Sequence, residues 1–430
     1  MSGALPGVPA TRAFLAARFP ALRHRNFRLF WYGQLVSLIG TWMQSVGQGW
    51  LMHRLTSSAF MLGLLGFFQF IPIVFLSLWA GVVADRTDKR KLLLVTQTCA
   101  LVQATMLAVL VSTSVITPWM VLALAFAFGV FNAFDLPARQ SFLVEMVGKE
   151  DLTNAIALNS TGFNIARILG PAAAGILVAV TGEAGCFWIN ALSYVAVLWA
   201  LARIDAPPRI GETRAARGFS TLRDGVRYAF EVRPIRNLLI LLGVTAGLGF
   251  QYMVLLPIYA SDILRAGPEA YGLMVSAFGG GSLIAALWMT RRQDRWALRR
   301  NLLVGLWSGG IGIAGFAWSR ALPLSLAMGL LAGFGLILYV ASTNTLLQLT
   351  TEDRFRGRIM SLYTLMFVGT APAGALMAGS IAQRFGAPIA TSLSAVVLLG
   401  GALWVSYRLR VLAAREAAQP TEPVLTEKLG

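Results

Sequence analysis

Asp135, Arg139 and Arg167 stand out because they place charge within the otherwise membrane-like hairpin from Gly129 to Gly175. A charge at the centre of a membrane-spanning helix costs roughly 2.5 to 3.5 kcal/mol on insertion scales, so it normally faces a partner or a wet cavity. A carboxylate beside guanidinium groups can take up and release a proton, and the local field changes as it does so. Asp135 and Arg139 are spaced i, i+4, which allows a pair within one helix. If the chain turns near Gly148 to Asp151, Asp135 and Arg167 lie at similar depth on antiparallel helices, so a pair between helices competes with the local one. The pair with Arg167 would serve proton coupling, because protonating Asp135 would release Arg167, while Arg139, nearer the cytoplasmic edge, would orient Asp135 or help a gate; the alternative is a static bridge that fixes helix packing.

The elements that must position these residues follow from composition. Of 430 residues, 57% are hydrophobic and 13% charged, and the mean hydropathy is +0.67. Apolar runs near twenty residues long recur along the chain, the length a helix needs to cross a hydrocarbon core of about 30 Å. The pattern predicts an all-α polytopic membrane protein with twelve transmembrane helices in two six-helix bundles. Helices are expected near 27–51, 59–84, 92–113, 119–145, 154–180 and 185–203 in the first half. In the second they fall near 237–260, 270–290, 302–319, 323–348, 359–383 and 387–407. The domains are then an amino-terminal arm (1–25), a first bundle (26–204), a linker (205–236), a second bundle (237–407) and a tail (408–430). Within the linker, Phe219, Leu222, Val226 and Phe230 share one helical face, which predicts an amphipathic helix on the inner membrane surface; a solvated linker helix is the other reading.

The net charge of +17 does not point to nucleic acid, because the basic residues lie in alternate loops. Of the 36 Lys and Arg, only Arg54, Arg265, Arg320 and Arg384 fall in the opposite loops, and Arg167 lies within an apolar run. By the positive-inside rule both termini and the long linker face the cytoplasm. Cys99 and Cys186 lie in apolar helices and predict no disulfide framework. Two distant histidines, His24 and His53, predict no metal site, and no cofactor is implied. An enzyme embedded in the membrane would need carboxylates or histidines clustered at one face; the sequence has none.

Gly81 to Lys91 reads GVVADRTDKRK in the loop between the second and third helices. It resembles the loop signature of the major facilitator superfamily in Gly81, Asp85, Arg86 and the basic run through Arg90, and departs from it at Asp88 and Lys89. The resemblance implies a latch in which Asp85 meets the amino-terminal end of the eleventh helix, to be broken when the protein opens inward. GPAAAG, with Gly170, Pro171 and Gly175, resembles the antiporter signature of helix five. Its proline removes a backbone donor and its glycines allow close packing. With RFRGRIMSLYTLMFVGTAPAGALMAG at 354 to 379, these stretches resemble the drug and siderophore efflux branch typified by the enterobactin exporter, over about residues 22 to 407.

That resemblance implies a bacterial inner-membrane protein, monomeric, moving a small organic solute outward by alternating access with protons flowing inward. In this superfamily helices one, four, seven and ten line the cavity, which nominates Gln34, Gln44, Gln48, Asn132, Gln251, Tyr252, Tyr339 and Asn344. Amides and rings suit an amphipathic solute. Helix one carries no acid within the membrane, which shifts the expected coupling role onto Asp135. Solute uptake is the nearest alternative, and a receptor or scaffold that transports nothing is the third.

Overall fold

The computed structural model describes residues 19–205, 219–291 and 294–418. Most of the expected amino-terminal arm, the first part of the linker and the end of the tail lie outside these residues. The described residues are helical throughout, with no strand. The first six long helices are α1 (Arg25–Thr56), α2 (Ala59–Arg86), α3 (Lys89–Ser112), α4 (Pro118–Val147), α5 (Leu152–Thr181) and α6 (Glu183–Arg203). After the linker come α7 (Phe219–Glu231), α8 (Arg233–Leu248), α9 (Pro268–Met289), α10 (Arg295–Trp318), α11 (Leu322–Thr350), α12 (Asp353–Val368), α13 (Ala371–Phe385) and α14 (Ala387–Ala418).

Local chemistry explains where the helices stop. Ser58, Thr117, Asp88 and Asp294 cap α2, α4, α3 and α10 by accepting from a backbone N–H in the first turn. Gly148, at φ +70°, turns the chain between α4 and α5, where a side chain would be strained. Two crossings expected as single helices are broken. After α8 the chain passes through a 3-10 segment, Gln251–Leu255, and a π segment, Tyr259–Ile263, and the eleventh crossing breaks between α12 and α13 at Gly369–Thr370.

Eleven helical spans are long and apolar enough to cross a membrane. Helix α1 has 32 residues, but it falls outside that set because Gln34, Gln44, Gln48 and several glycines lower its hydropathy. Its polar side chains are turned inward: all three glutamines are buried. It packs chiefly against α5 and α6, while α2 packs on α4 and α3 on α6. Among the later helices α11 lies against α9 and α10, and α10 against α14. Helix α7 docks on protein: Tyr228 stacks on Phe355 at 4.1 Å, Asp224 lies 3.8 Å from Arg358, and Val226 and Ala229 join a small core with α8 and α12. Phe230, at its edge, is exposed.

The two largest contacts that join the first six helices to the later ones are α5 with α9 and α2 with α13, and both need glycine. A Cβ on Gly272 would lie 2.3 Å from the Pro171 carbonyl oxygen, and one on Gly63 would lie 2.6 Å from that of Ala375. Ser276 Oγ donates to the Ile168 carbonyl at 2.7 Å, Ser58 Oγ to Gln383 Oε1 at 2.9 Å, and His53 Nε2 lies 3.1 Å from Asp262 Oδ1. All of these lie in the half of the molecule remote from the chain termini, here the far half. They seal the far end.

Candidate functional site

Asp135 is 2% exposed, between α3 and α4. Its Oδ1 accepts from Thr96 Oγ1 at 3.0 Å and from Gln97 Nε2 at 2.6 Å, and its Oδ2 accepts from Arg139 Nη2. The i, i+4 spacing sets acid and base on one face of α4, and Pro137 between them leaves the Ala133 carbonyl without its helical donor. Further along α4, Glu145 Oε1 lies 3.0 Å from Lys89 Nζ, both nearly buried, and ties the start of α3 to the end of α4. The carboxylate of Asp135 is therefore satisfied on both oxygens.

The expected pair of Asp135 with Arg167 does not form in this conformation. Arg167 Nη2 donates to Asn164 Oδ1 at 2.9 Å, and its guanidinium lies 5.9 Å from the Phe163 ring centroid. Equal depth does not make two residues face each other, because helix rotation and spacing also decide. Helices α4 and α5 touch little beyond their connecting turn, while α5 lies against α1 and α9. Among the described residues, no carboxylate lies within ion-pair distance of Arg167.

Asp135 and Arg139 line a cavity of about 580 Å³. Gln34, Gln44, Gln48 and Asn132 also line it, as expected, with Trp42, Gln69, Phe131, Gln140, Asn159, Phe163, Tyr194 and Tyr271. Gln251, Tyr252, Tyr339 and Asn344 do not. Gln251 donates to the Ala246 carbonyl, Tyr252 stacks on Phe278 at 4.4 Å, Tyr339 bonds to Thr245 at 2.9 Å, and Asn344 accepts from Gln348. The walls come instead from α1 to α6, the broken segment around Met253 to Pro257, and α9. Helix α11 contributes none of them, because it packs its inner face against α9 and α10.

Thr96 and Gln97, which hold Asp135, were missed by sequence reasoning, as were the wall residues Gln69, Gln140, Asn159, Phe163, Tyr194 and Tyr271. The available signal was weak: a polar pair inside an apolar helix near the depth of Asp135.

The helix-five glycines act in packing. A Cβ on Gly170 would lie 2.6 Å from Trp42 Cβ, and one on Gly175 would lie 2.8 Å from the Pro268 carbonyl oxygen; Pro171 offers its own carbonyl to Gly272. The loop motif divides. Arg90 caps the end of α6, with Nε 2.7 Å from the Leu201 carbonyl and Nη2 2.8 Å from that of Ala202. Asp85 and Arg86 are exposed, Asp85 has no partner among the described residues, and a Cβ on Gly81 would meet nothing within 4 Å. The expected contact of Asp85 with the eleventh crossing is thus open while the far end is shut.

Known proteins resemble this chain in sequence and in fold. The chain is 26% identical over 363 residues to the staphyloferrin A transporter of Staphylococcus aureus, covering 84% of this chain and 90% of the relative. It is 25% identical to the multidrug efflux pump Tap of Mycolicibacterium fortuitum (83% and 89% covered) and 23% identical to macrolide efflux protein A of Streptococcus pyogenes (84% and 90%). The fold resembles the crystal structure of nucleoside transporter NupG, with TM-score 0.70 at 14% identity, covering 90% of this chain and 99% of that one. It equally resembles a bacterial homologue of the lysosomal transporter Spinster in an inward-facing, occupied conformation, with TM-score 0.70 at 12% identity and coverage of 94% and 98%. These are transporters rather than enzymes, and the chain, matched over residues 16–429, belongs to the major facilitator superfamily branch described as transmembrane secretion effector.

Proposed function

We propose that the protein is an exporter of the bacterial inner membrane, built as two six-helix bundles with α1 as a twelfth crossing and both termini in the cytoplasm. It moves a small organic solute outward by alternating access, as a monomer, with protons flowing inward. The observation that carries the proposal is Asp135: a buried carboxylate on the wall of the cavity, held by Thr96, Gln97 and Arg139. Protonation releases Arg139 and weakens the tie between α3 and α4. A proton binding event is thereby linked to helix packing around the solute. The open Asp85 contact and the shut far end fit a state open toward the cytoplasm, in which solute loads and the proton leaves.

Export is favoured over uptake by the efflux pumps among the relatives. Proteoliposomes with an imposed pH gradient test the reading. Solute should accumulate on the side from which protons leave, and Asp135→Asn should abolish accumulation while leaving solute exchange without a gradient. Movement of solute in the same direction as protons would replace export by uptake. If no solute moves under any gradient, the transport reading fails.

A further inference from the structure

The amides on the cavity wall are of two kinds. Gln44 is saturated, with Nε2 donating to Gln103 Oε1 at 3.1 Å and Oε1 accepting from Asn190 Nδ2 at 2.7 Å. Gln48 and Gln97 are not. They are 4% and 5% exposed, both line the cavity, and Gln48 Nε2 and Gln97 Oε1 have no hydrogen-bond partner. Chemistry fixes the Gln97 amide, because turning it over would set its oxygen against the Asp135 carboxylate, which now accepts from Nε2. Gln97 therefore offers an acceptor, while among the described residues no hydrogen bond holds the Gln48 amide, so it can turn to offer a donor or an acceptor; a buried polar atom without a partner is costly unless a ligand satisfies it.

The bond between Gln44 and Gln103 aligns α1 with α3, which run in the same direction. Gln48 lies four residues beyond Gln44 toward the far end, and Gln97 six residues before Gln103. At about 1.5 Å per residue the two open amides are separated by about 15 Å along the axis. The wall between them is largely apolar and aromatic, including Trp42 packed edge-on to Phe163 at 5.9 Å. Its charged groups, Asp135 and Arg139, neutralise each other.

We infer that the cavity takes an uncharged, elongated amphiphile, with a neutral hydrogen-bonding group such as an amide for Gln48 and a hydroxyl or N–H donor for Gln97, about 15 Å apart across an apolar or aromatic body. The inference rests on the reading of this cavity as the solute site. A polycarboxylate or polycation would bring charge that the wall does not compensate, and its desolvation would go unmet.

Equilibrium binding to the full chain in lipid nanodiscs tests this through tryptophan fluorescence, with empty nanodiscs as the blank for partitioning. The probes are 12-hydroxydodecanamide, dodecanamide, 6-hydroxyhexanamide and dodecanedioate. The first should bind most tightly, with the hydroxyl improving affinity over dodecanamide by about three- to tenfold. Gln97→Ala should erase the hydroxyl preference, while Gln48→Ala should weaken both long amides and keep it. Where Gln97→Ala fails to fold, Gln97→Asn keeps an amide but withdraws it by one methylene, and should lose the same preference. Three results overturn the inference: dodecanedioate binding as tightly as the neutral probe, a hydroxyl preference unaffected at Gln97, or no saturable binding of 12-hydroxydodecanamide. No gradient is applied, so failure of the export reading would show separately, as binding without gradient-driven movement.

Discussion

Replacing Asp135 by Asn removes one charge and keeps the shape. The new amide oxygen can still accept from Thr96 and Gln97, which donate to one carboxylate oxygen. That choice turns the NH2 group toward Arg139, where the other oxygen stood. Arg139 then meets a donor in place of an anion. Losing a hydrogen bond to a charged group costs about 1.5–3 kcal/mol, and stranding a fully buried charge about 3–5 kcal/mol. The Arg139 side chain is 14% exposed and borders the cavity, so the lower range applies, near 2 kcal/mol.

Adding Arg139→Gln to Asp135→Asn removes the stranded charge and supplies an amide oxygen to the new NH2 group. The double variant should recover stability to within about 1 kcal/mol of the parent, since both partners are again neutral and bonded. Proton-driven accumulation should stay lost, because no titratable carboxylate remains there. Thermal unfolding in nanodiscs gives the first quantity, and proteoliposome accumulation under a pH gradient gives the second. A double variant that is stable and still accumulates solute with the parent's pH dependence would show that Asp135 only holds helices together.

Gly272→Ala should keep the far end from closing: the added Cβ lies 2.3 Å from the Pro171 carbonyl oxygen, and overpacking of this kind costs about 1–3 kcal/mol. Spin labels on the far ends of α5 and α9 should report a wider distance distribution; an unchanged one would refute the seal. Asp262→Asn should loosen the same end more mildly, by under about 1 kcal/mol, because Asp262 is half exposed although His53 is buried. Thiol labelling of a cysteine introduced at position 56 reads this as a modest rate increase, and no increase would make the His53 contact incidental. Gln44→Leu leaves Gln103 and Asn190 each short of a partner, so it should lower stability by about 1–3 kcal/mol per unpaired group while leaving solute affinity nearly unchanged. Loss of affinity without loss of stability would make Gln44 a ligand-binding residue.

The helices were legible in the sequence because a bilayer demands runs of apolar residues, and the loops carry their own punctuation in Asp88, Thr117 and Gly148. The family was legible through Gly81 to Lys91 and the glycines of α5, which record close packing. What could not be read was azimuth. Counting from the turn placed Asp135 and Arg167 at one depth but said nothing of which way each pointed. The same gap separated Gln34, Gln48 and Asn132, which reach the cavity, from Tyr339 and Asn344, which do not. Buried amides look alike in sequence whether they bond to a neighbouring helix, as Gln44 does, or stand unpartnered on a cavity wall, as Gln48 does.

A carboxylate couples proton movement to solute movement only if both change sides together. Asp135 shares its wall with Gln97, the inner polar end of the cavity, and Gln97 bonds to it directly. Protonating Asp135 weakens that bond, which frees the Gln97 amide to turn and present a donor where it now presents an acceptor. The neutral acid thus alters the group that would hold the solute's hydroxyl, and by reciprocity a bound hydroxyl favours the charged acid. On the proposed reading, solute and proton compete for one site through a single amide, which is the condition that exchange of the two requires. A Gln97→Leu variant removes this link while leaving Asp135 its bonds to Thr96 and Arg139. It should keep a titratable carboxylate at Asp135, yet show solute affinity that no longer varies with pH; retained pH-dependent affinity would place the coupling elsewhere.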